Sequence, residues 1–156
     1  MVEPDYESHL AELRRAYVES TPRQRLHIAQ QRLRNPGHHP NTLVAHVSAV
    51  EGFSRCLVLH SKATTKAELS AAYAGVQFEG PCSLISTYLV AKGLAEAELF
   101  FGADVWRRFN YAVKYRNLLA HECTYLGQDV SPGLVQSCRE VLGRLAASQD
   151  LQLGET

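Results

Sequence analysis

The chain has 156 residues, 46% of them apolar and 21% charged, which is the size and balance of one folded domain. These values exclude a disordered tail, a collagen-like repeat and a small disulfide scaffold. A chain this long buries enough apolar surface to fold without a metal or a disulfide.

Sixteen basic residues balance sixteen acidic ones. Net charge therefore gives no general attraction to nucleic acid, and any such binding needs a local patch. The cysteines are Cys56, Cys82, Cys123 and Cys138. None forms a C-x-x-C pair, so they read as reduced, buried thiols of a cytoplasmic protein. No uncharged apolar stretch approaches the length of a membrane span. The N-terminal MVEPDYESHL carries acid where a signal peptide carries base, so neither a membrane anchor nor a leader is expected.

Taken in chain order, residues 5 to 19 space Leu10, Leu13, Ala16 and Tyr17 as a helix does. Thr21 followed by Pro22 predicts a capped helix start, and the helix runs to Arg34 with Leu26, Ala29 and Leu33 on one face. The stretch NPGHHPN reads as a turn. Asn41 is expected to cap a long helix over 42–62, with Leu43, Val47, Val50, Leu57 and Val58 in its core stripe. His38, His39 and His46 lack the spacing of a metal site, and no metal or other cofactor is expected.

Thr65 with Glu68 fits a capping box for a helix through Ala74. GVQFEGP interrupts, and residues 82–92 form a shorter helix stopped by Gly93. Asp104 is expected to cap a second long helix reaching Leu126, with Gly127 as its stop. Ser131-Pro132 opens a last helix to about Ala147. The tail 148–156 is expected to fray. The prediction is a single all-α domain, an antiparallel helical bundle with the helices from 42 and 104 at its centre and shorter helices flanking them. Its ordered core spans about 5–147.

The segment DVWRRFNYAVKYRNLLAHECTYL is the informative one. On an ideal wheel Arg107, Asn110, Lys114, Asn117 and Tyr125 lie within about 40° of His121, a continuous polar stripe. The opposite face holds Val105, Phe109, Ala112, Leu119 and Cys123. Arg107, Arg108, Lys114 and Arg116 follow Asp104 with no acid until Glu122. A merely solvated face would mix the two signs at i,i+4 spacing, and four cations in a neutral chain can hold a few phosphates. Arg116 sits about 140° from His121, among apolar positions, where a guanidinium needs a partner. Glu51 on the other long helix is the expected one, for Arg116 or Asn117, with Arg55 one turn further on.

Arg116-Asn117-Leu118-Leu119-Ala120-His121 is an R-x4-H sequence with a polar residue after the arginine, late in a long helix. It resembles the signature of the HEPN superfamily (higher eukaryote and prokaryote nucleotide-binding), in particular its ribonuclease-type members. Glu51 in VEGFSR is similar to the acid that many members carry on the partner helix. The resemblance covers residues 42 to 147. It implies a metal-independent endoribonuclease whose two R-x4-H helices face each other across a homodimer, acting as a toxin or antiviral effector. It also implies a cognate antitoxin, in some members a nucleotidyltransferase that modifies a tyrosine two residues after the histidine. Here Tyr125 is four residues after.

In that reading Arg116, Asn117 and His121 are catalytic, Lys114, Arg107 and Asn110 bind substrate, and Glu51, Arg55 and Tyr125 support them. Histidine takes the 2′-hydroxyl proton, and arginine holds the charge that builds on the phosphate. The alternative is a non-catalytic HEPN-like module that binds RNA, a nucleotide or a partner protein. A third reading is a helical dimerisation unit whose Arg116 and Glu51 set register.

Overall fold

In the computed structural model, residues 5–34, 39–122 and 131–154 are described. They form an all-α bundle of eight helices: α1 (Tyr6–Glu19), α2 (Pro22–Arg34), α3 (His39–Lys62), α4 (Lys66–Val76), α5 (Pro81–Ala91), α6 (Ala97–Phe101), α7 (Ala103–Glu122) and α8 (Ser131–Ala147). The expected stop of α7 at Gly127, together with Cys123 and Tyr125, lies outside the described residues.

Local chemistry accounts for most starts. Thr21 Oγ1 accepts from Gln24 N at 3.2 Å while Gln24 Oε1 accepts from Thr21 N at 2.8 Å, a reciprocal capping box. Thr65 caps α4 by accepting from Glu68 N, but the returning arm of Glu68 takes the N–H of Thr64 instead. Two expected caps are corrected. Helix α3 begins at His39 rather than after Asn41. Pro40 falls in its first turn, where a missing N–H breaks no helical bond. Helix α7 begins at Ala103, with the Gly102 carbonyl receiving Trp106 N. Asp104 is thus inside the helix and free to pair with side chains.

The core is organised on α3. Leu43, Val47, Val50, Phe53, Leu57, Val58 and Leu59 are all buried, each side chain contributing on the order of 1.5–3 kcal/mol. Helix α3 packs most extensively on α2 and α5, then on α8, and less on α7, which pairs chiefly with α8. Of the two long helices of the expected bundle, α3 is the hub and carries the larger share of the packing. By length and composition Thr42–Lys62 is also apolar enough to cross a membrane. Here 61% of its apolar window is buried against neighbouring helices, as in a core helix.

Helix α1 departs from its apolar reading. Leu13 and Ala16 are exposed and Val18 is buried in their place, while the expected Tyr17 packs on the core and its hydroxyl donates to the Gly52 carbonyl at 2.6 Å. Helix α6 was not expected at all. It ends at Gly102, whose φ of 92° and ψ of 140° turn the chain sharply into α7. The corner is filled by Phe101 stacked on Trp106 at 5.5 Å and Trp106 on Phe109 at 5.7 Å.

Part of the tail expected to fray, residues 148–153, folds back on the core. Leu151 N bonds back to the Ala146 carbonyl, and Leu151 and Leu153 pack on the core. Ser148 and Gln149 both bond the hydroxyl of buried Tyr88.

His46 is buried among the apolar residues of α3. Its Nδ1–H donates to the Thr42 carbonyl at 2.7 Å, and its Nε2 accepts from Arg139 Nε at 3.3 Å. The ring is therefore neutral, since Nε2 cannot accept a bond and carry a proton. Burial, with Arg139 beside it, lowers its pKa despite the Thr42 bond.

Two outcomes are expected. Gly102→Ala forces a side chain into a backbone region reserved for glycine and should destabilise the fold by about 1–3 kcal/mol in urea unfolding; an unchanged midpoint would contradict the corner. A histidine with a depressed folded pKa contributes stability fully above about pH 6.5 and loses it as pH falls toward the folded value. The melting temperature should thus decline on the acid side, and His46→Gln should flatten that decline. An equally steep acid limb in the variant would assign it elsewhere.

Candidate functional site

Helix α7 carries the residues singled out in the sequence, and the structure distributes them over three surroundings. Phe109 and Ala112 are fully buried, which fixes the rotation of the helix and turns Arg116 toward α3. There Arg116 Nη2 donates to Glu51 Oε1 at 3.2 Å and its Nε to Asn117 Oδ1 at 3.0 Å. The Arg116 side chain is 14% exposed and that of Glu51 24%. The expected Arg116–Glu51 approach is thus present, and Nη1 has no partner among the described residues.

Glu51 serves two cations. Its second oxygen lies 3.6 Å from Arg55 Nη2. Arg55 Nε donates to the Val76 carbonyl at 3.2 Å and Nη2 to the Glu79 carbonyl at 2.8 Å, at the turn between α4 and α5. A continuous polar chain therefore links that turn, α3 and α7. The carbonyl acceptors carry no sequence signature, which is why Arg55 was placed beside Glu51 but not onto the turn.

The amino-terminal cations are not free. Arg107 and Arg108 share Asp104, at 3.1 and 2.8 Å. The Arg108 and Arg107 guanidiniums hold the Asp104 carboxyl below its ordinary pKa. Their i+3 and i+4 spacing from Asp104 would have revealed the pairing had the acid not been assigned to a cap. Lys114 Nζ lies 5.3 Å from the Tyr111 ring centroid. The basic run is real, but three of its four cations have acidic partners.

Asn110 is half-buried. Its Nδ2 donates to the Trp106 carbonyl at 2.7 Å and its Oδ1 accepts from Cys82 Sγ at 3.3 Å, a contact with α5. Asn117 and Lys114 are exposed. His121 lies on the α7 backbone, five residues after Arg116; its side chain is outside the described residues, as is all of Tyr125.

Tyr111 and Tyr115 fell outside the polar stripe. Together with Arg107, Arg108, Gly133 and Leu134 they line a groove of ≈ 360 Å³ between α7 and the start of α8. The 108, 111, 115 spacing is a helical stripe of its own. Among the described residues no group of three His, Cys, Asp or Glu side chains could hold a metal ion. The Cys56 and Cys138 thiols are buried and pushed up to about 12 by loss of solvation, so neither is a nucleophile near neutral pH. No family model, curated protein or solved structure matches this chain.

The two kinds of ion pair differ in burial, so they should differ in worth. Glu51→Ala and Arg116→Ala in a double-mutant cycle should show a coupling of about 1.5–3 kcal/mol, the range for hydrogen bonds to charged groups. The exposed Asp104–Arg107 pair, screened by solvent, should give a clearly smaller coupling. Equal couplings from urea unfolding would contradict this ranking.

Proposed function

We propose that the chain is a metal-independent endoribonuclease of the HEPN type, acting at a composite site across a homodimer. The observation that carries this reading is the held guanidinium of Arg116, one unpartnered nitrogen remaining among the described residues, five residues before His121 on one helix. Arginine presents planar donors to the equatorial oxygens of a phosphate under attack. Glu51 and Asn117 fix that fork in advance, which is how preorganised charge stabilisation works.

The chemistry uses the nucleophile that RNA carries itself. His121 accepts the 2′-hydroxyl proton, and the oxygen attacks the adjacent phosphorus. The bond to the 5′-oxygen breaks, and that oxygen takes a proton from the imidazolium of the second copy. The products are a 2′,3′-cyclic phosphate and a free 5′-hydroxyl. An ideal helix sets Arg116 and His121 about 140° apart. With Arg116 tied to α3, the arginine of one copy serves the histidine of the other. Lys114 and Arg107 hold flanking backbone. The matching cellular role is a toxin or antiviral effector restrained by a cognate antitoxin or nucleotidyltransferase.

One observation favours the second reading, a module that binds RNA without cutting it: most α7 cations already have acidic partners. Incubation with single-stranded RNA in the presence of a chelator separates the two. Cleavage to cyclic-phosphate ends is expected. His121→Ala and Arg116→Lys should each lower the rate by at least about 100-fold, the usual worth of a general base or an oxyanion donor, with circular dichroism unchanged. Full activity in both variants would reject the ribonuclease, and salt-sensitive binding without cutting would establish the module.

A further inference from the structure

The groove between α7 and the first turn of α8 sets two tyrosines that the R-x4-H chemistry leaves unused beside the cations proposed to hold flanking backbone. Tyr111 is 46% exposed, a large ring left at the surface beside a cavity. Tyr115, half-buried, continues the aromatic wall one turn further toward His121. Arg107 and Arg108 stand on the same groove and share one carboxylate, so that cluster retains a positive charge. Lys114 over the Tyr111 ring supplies a second. On the α8 side Gly133 keeps the wall open, since a Cβ there would meet nothing within 4 Å.

A flat aromatic face flanked by guanidiniums suits a ligand with an exposed π-face and a phosphate at short range. Unpaired nucleotides offer both, whereas a duplex hides its base faces. We propose that this groove is a subsite for one unpaired nucleotide of single-stranded RNA, with its base stacked on Tyr111 and its phosphate held by Arg108 and Arg107. The identity of the ligand rests on the ribonuclease reading; the groove itself does not. Tyr111 precedes His121 by ten residues, about 15 Å along the helix axis. The subsite therefore receives a nucleotide set back from the cut along the same strand and sets which unpaired segments are accepted.

The test measures binding apart from cleavage. In a His121→Ala background, the anisotropy of a fluorescein-labelled single-stranded oligoribonucleotide is followed for the parent and four variants. Tyr111→Ala should weaken binding about 5- to 150-fold, the usual range for losing one stacked base, and Tyr111→Phe should restore it to within about twofold. Arg108→Ala should reduce the salt dependence by roughly one counterion. Gly133→Met, which fills the groove without touching a tyrosine, should weaken binding with no drop in melting temperature.

Parent-like binding by Tyr111→Ala and Gly133→Met overturns the subsite. So does equal affinity for duplex RNA, or a parent that binds no single strand. A shift from dimer to monomer in sedimentation on Tyr111→Ala also overturns it, because the groove would then be covered by a second copy. If the unmutated protein binds but does not cut while these variants lose binding, the subsite stands and the ribonuclease falls. If it cuts and the variants bind normally, the reverse holds.

Discussion

A guanidinium on the inner face of α7 sets a requirement that the surrounding helices meet. Arg116 cannot be left unpaired at 14% exposure, because a charge withdrawn from water is stabilised only by an opposite charge or a full set of hydrogen bonds. Glu51 supplies the charge from α3, and it shares that charge with Arg55. Arg55 in turn holds the carbonyls of Val76 and Glu79. One carboxylate therefore couples the rotation of α7 to the hub helix, and the hub helix to the turn that launches α5. A shift in any one of the three would leave a donor or an acceptor unmatched in a partly dry setting. Such a network is weak as a source of stability and strong as a constraint on geometry.

The apolar frame makes that constraint possible. Helix α3 is buried on several sides, so its register relative to α2, α5 and α8 is set by many side chains at once. Glu51 and Arg55 occupy the part of α3 that those neighbours leave to α7 and to the turn before α5. Helix α7 is anchored at its start by the Gly102 corner and the Phe101–Trp106–Phe109 stack. It is anchored along its length by Phe109 and Ala112. The half of α7 that carries Arg116 and the backbone of His121 therefore extends from a fixed base.

Much of this was legible in the chain. Period 3.6 patterns and start signals located seven of the eight helices, because each is long enough to repeat its apolar spacing. Helix α6 has five residues, too few for a period to show. The Gly102 corner and the folded-back tail depend on single residues meeting distant surfaces, which no local pattern encodes. At the candidate site, Arg116–Glu51 was readable because a charge on an apolar face announces its need. Asn110 shows the converse: a polar residue on the polar stripe gives no sign that its amide bonds the Trp106 carbonyl and Cys82. His46 gave no signal, since its partners are a carbonyl within its own helix and an arginine 93 residues away.

If the chain acts on RNA as proposed, its neutral charge and paired cations together decide what kind of contact this surface makes. Non-specific binding grows with the number of phosphates neutralised, and here Asp104 and Glu51 already hold three of the four α7 cations. In the proposed reading such a surface attracts RNA weakly at a distance and gains its affinity at contact, from stacking and from a few charge-assisted bonds that form only with a correctly placed phosphate. Selection then rests on unpaired bases rather than on overall charge. That suits an activity directed at particular single-stranded segments, because a strongly basic patch would bind every RNA it met and discriminate among few.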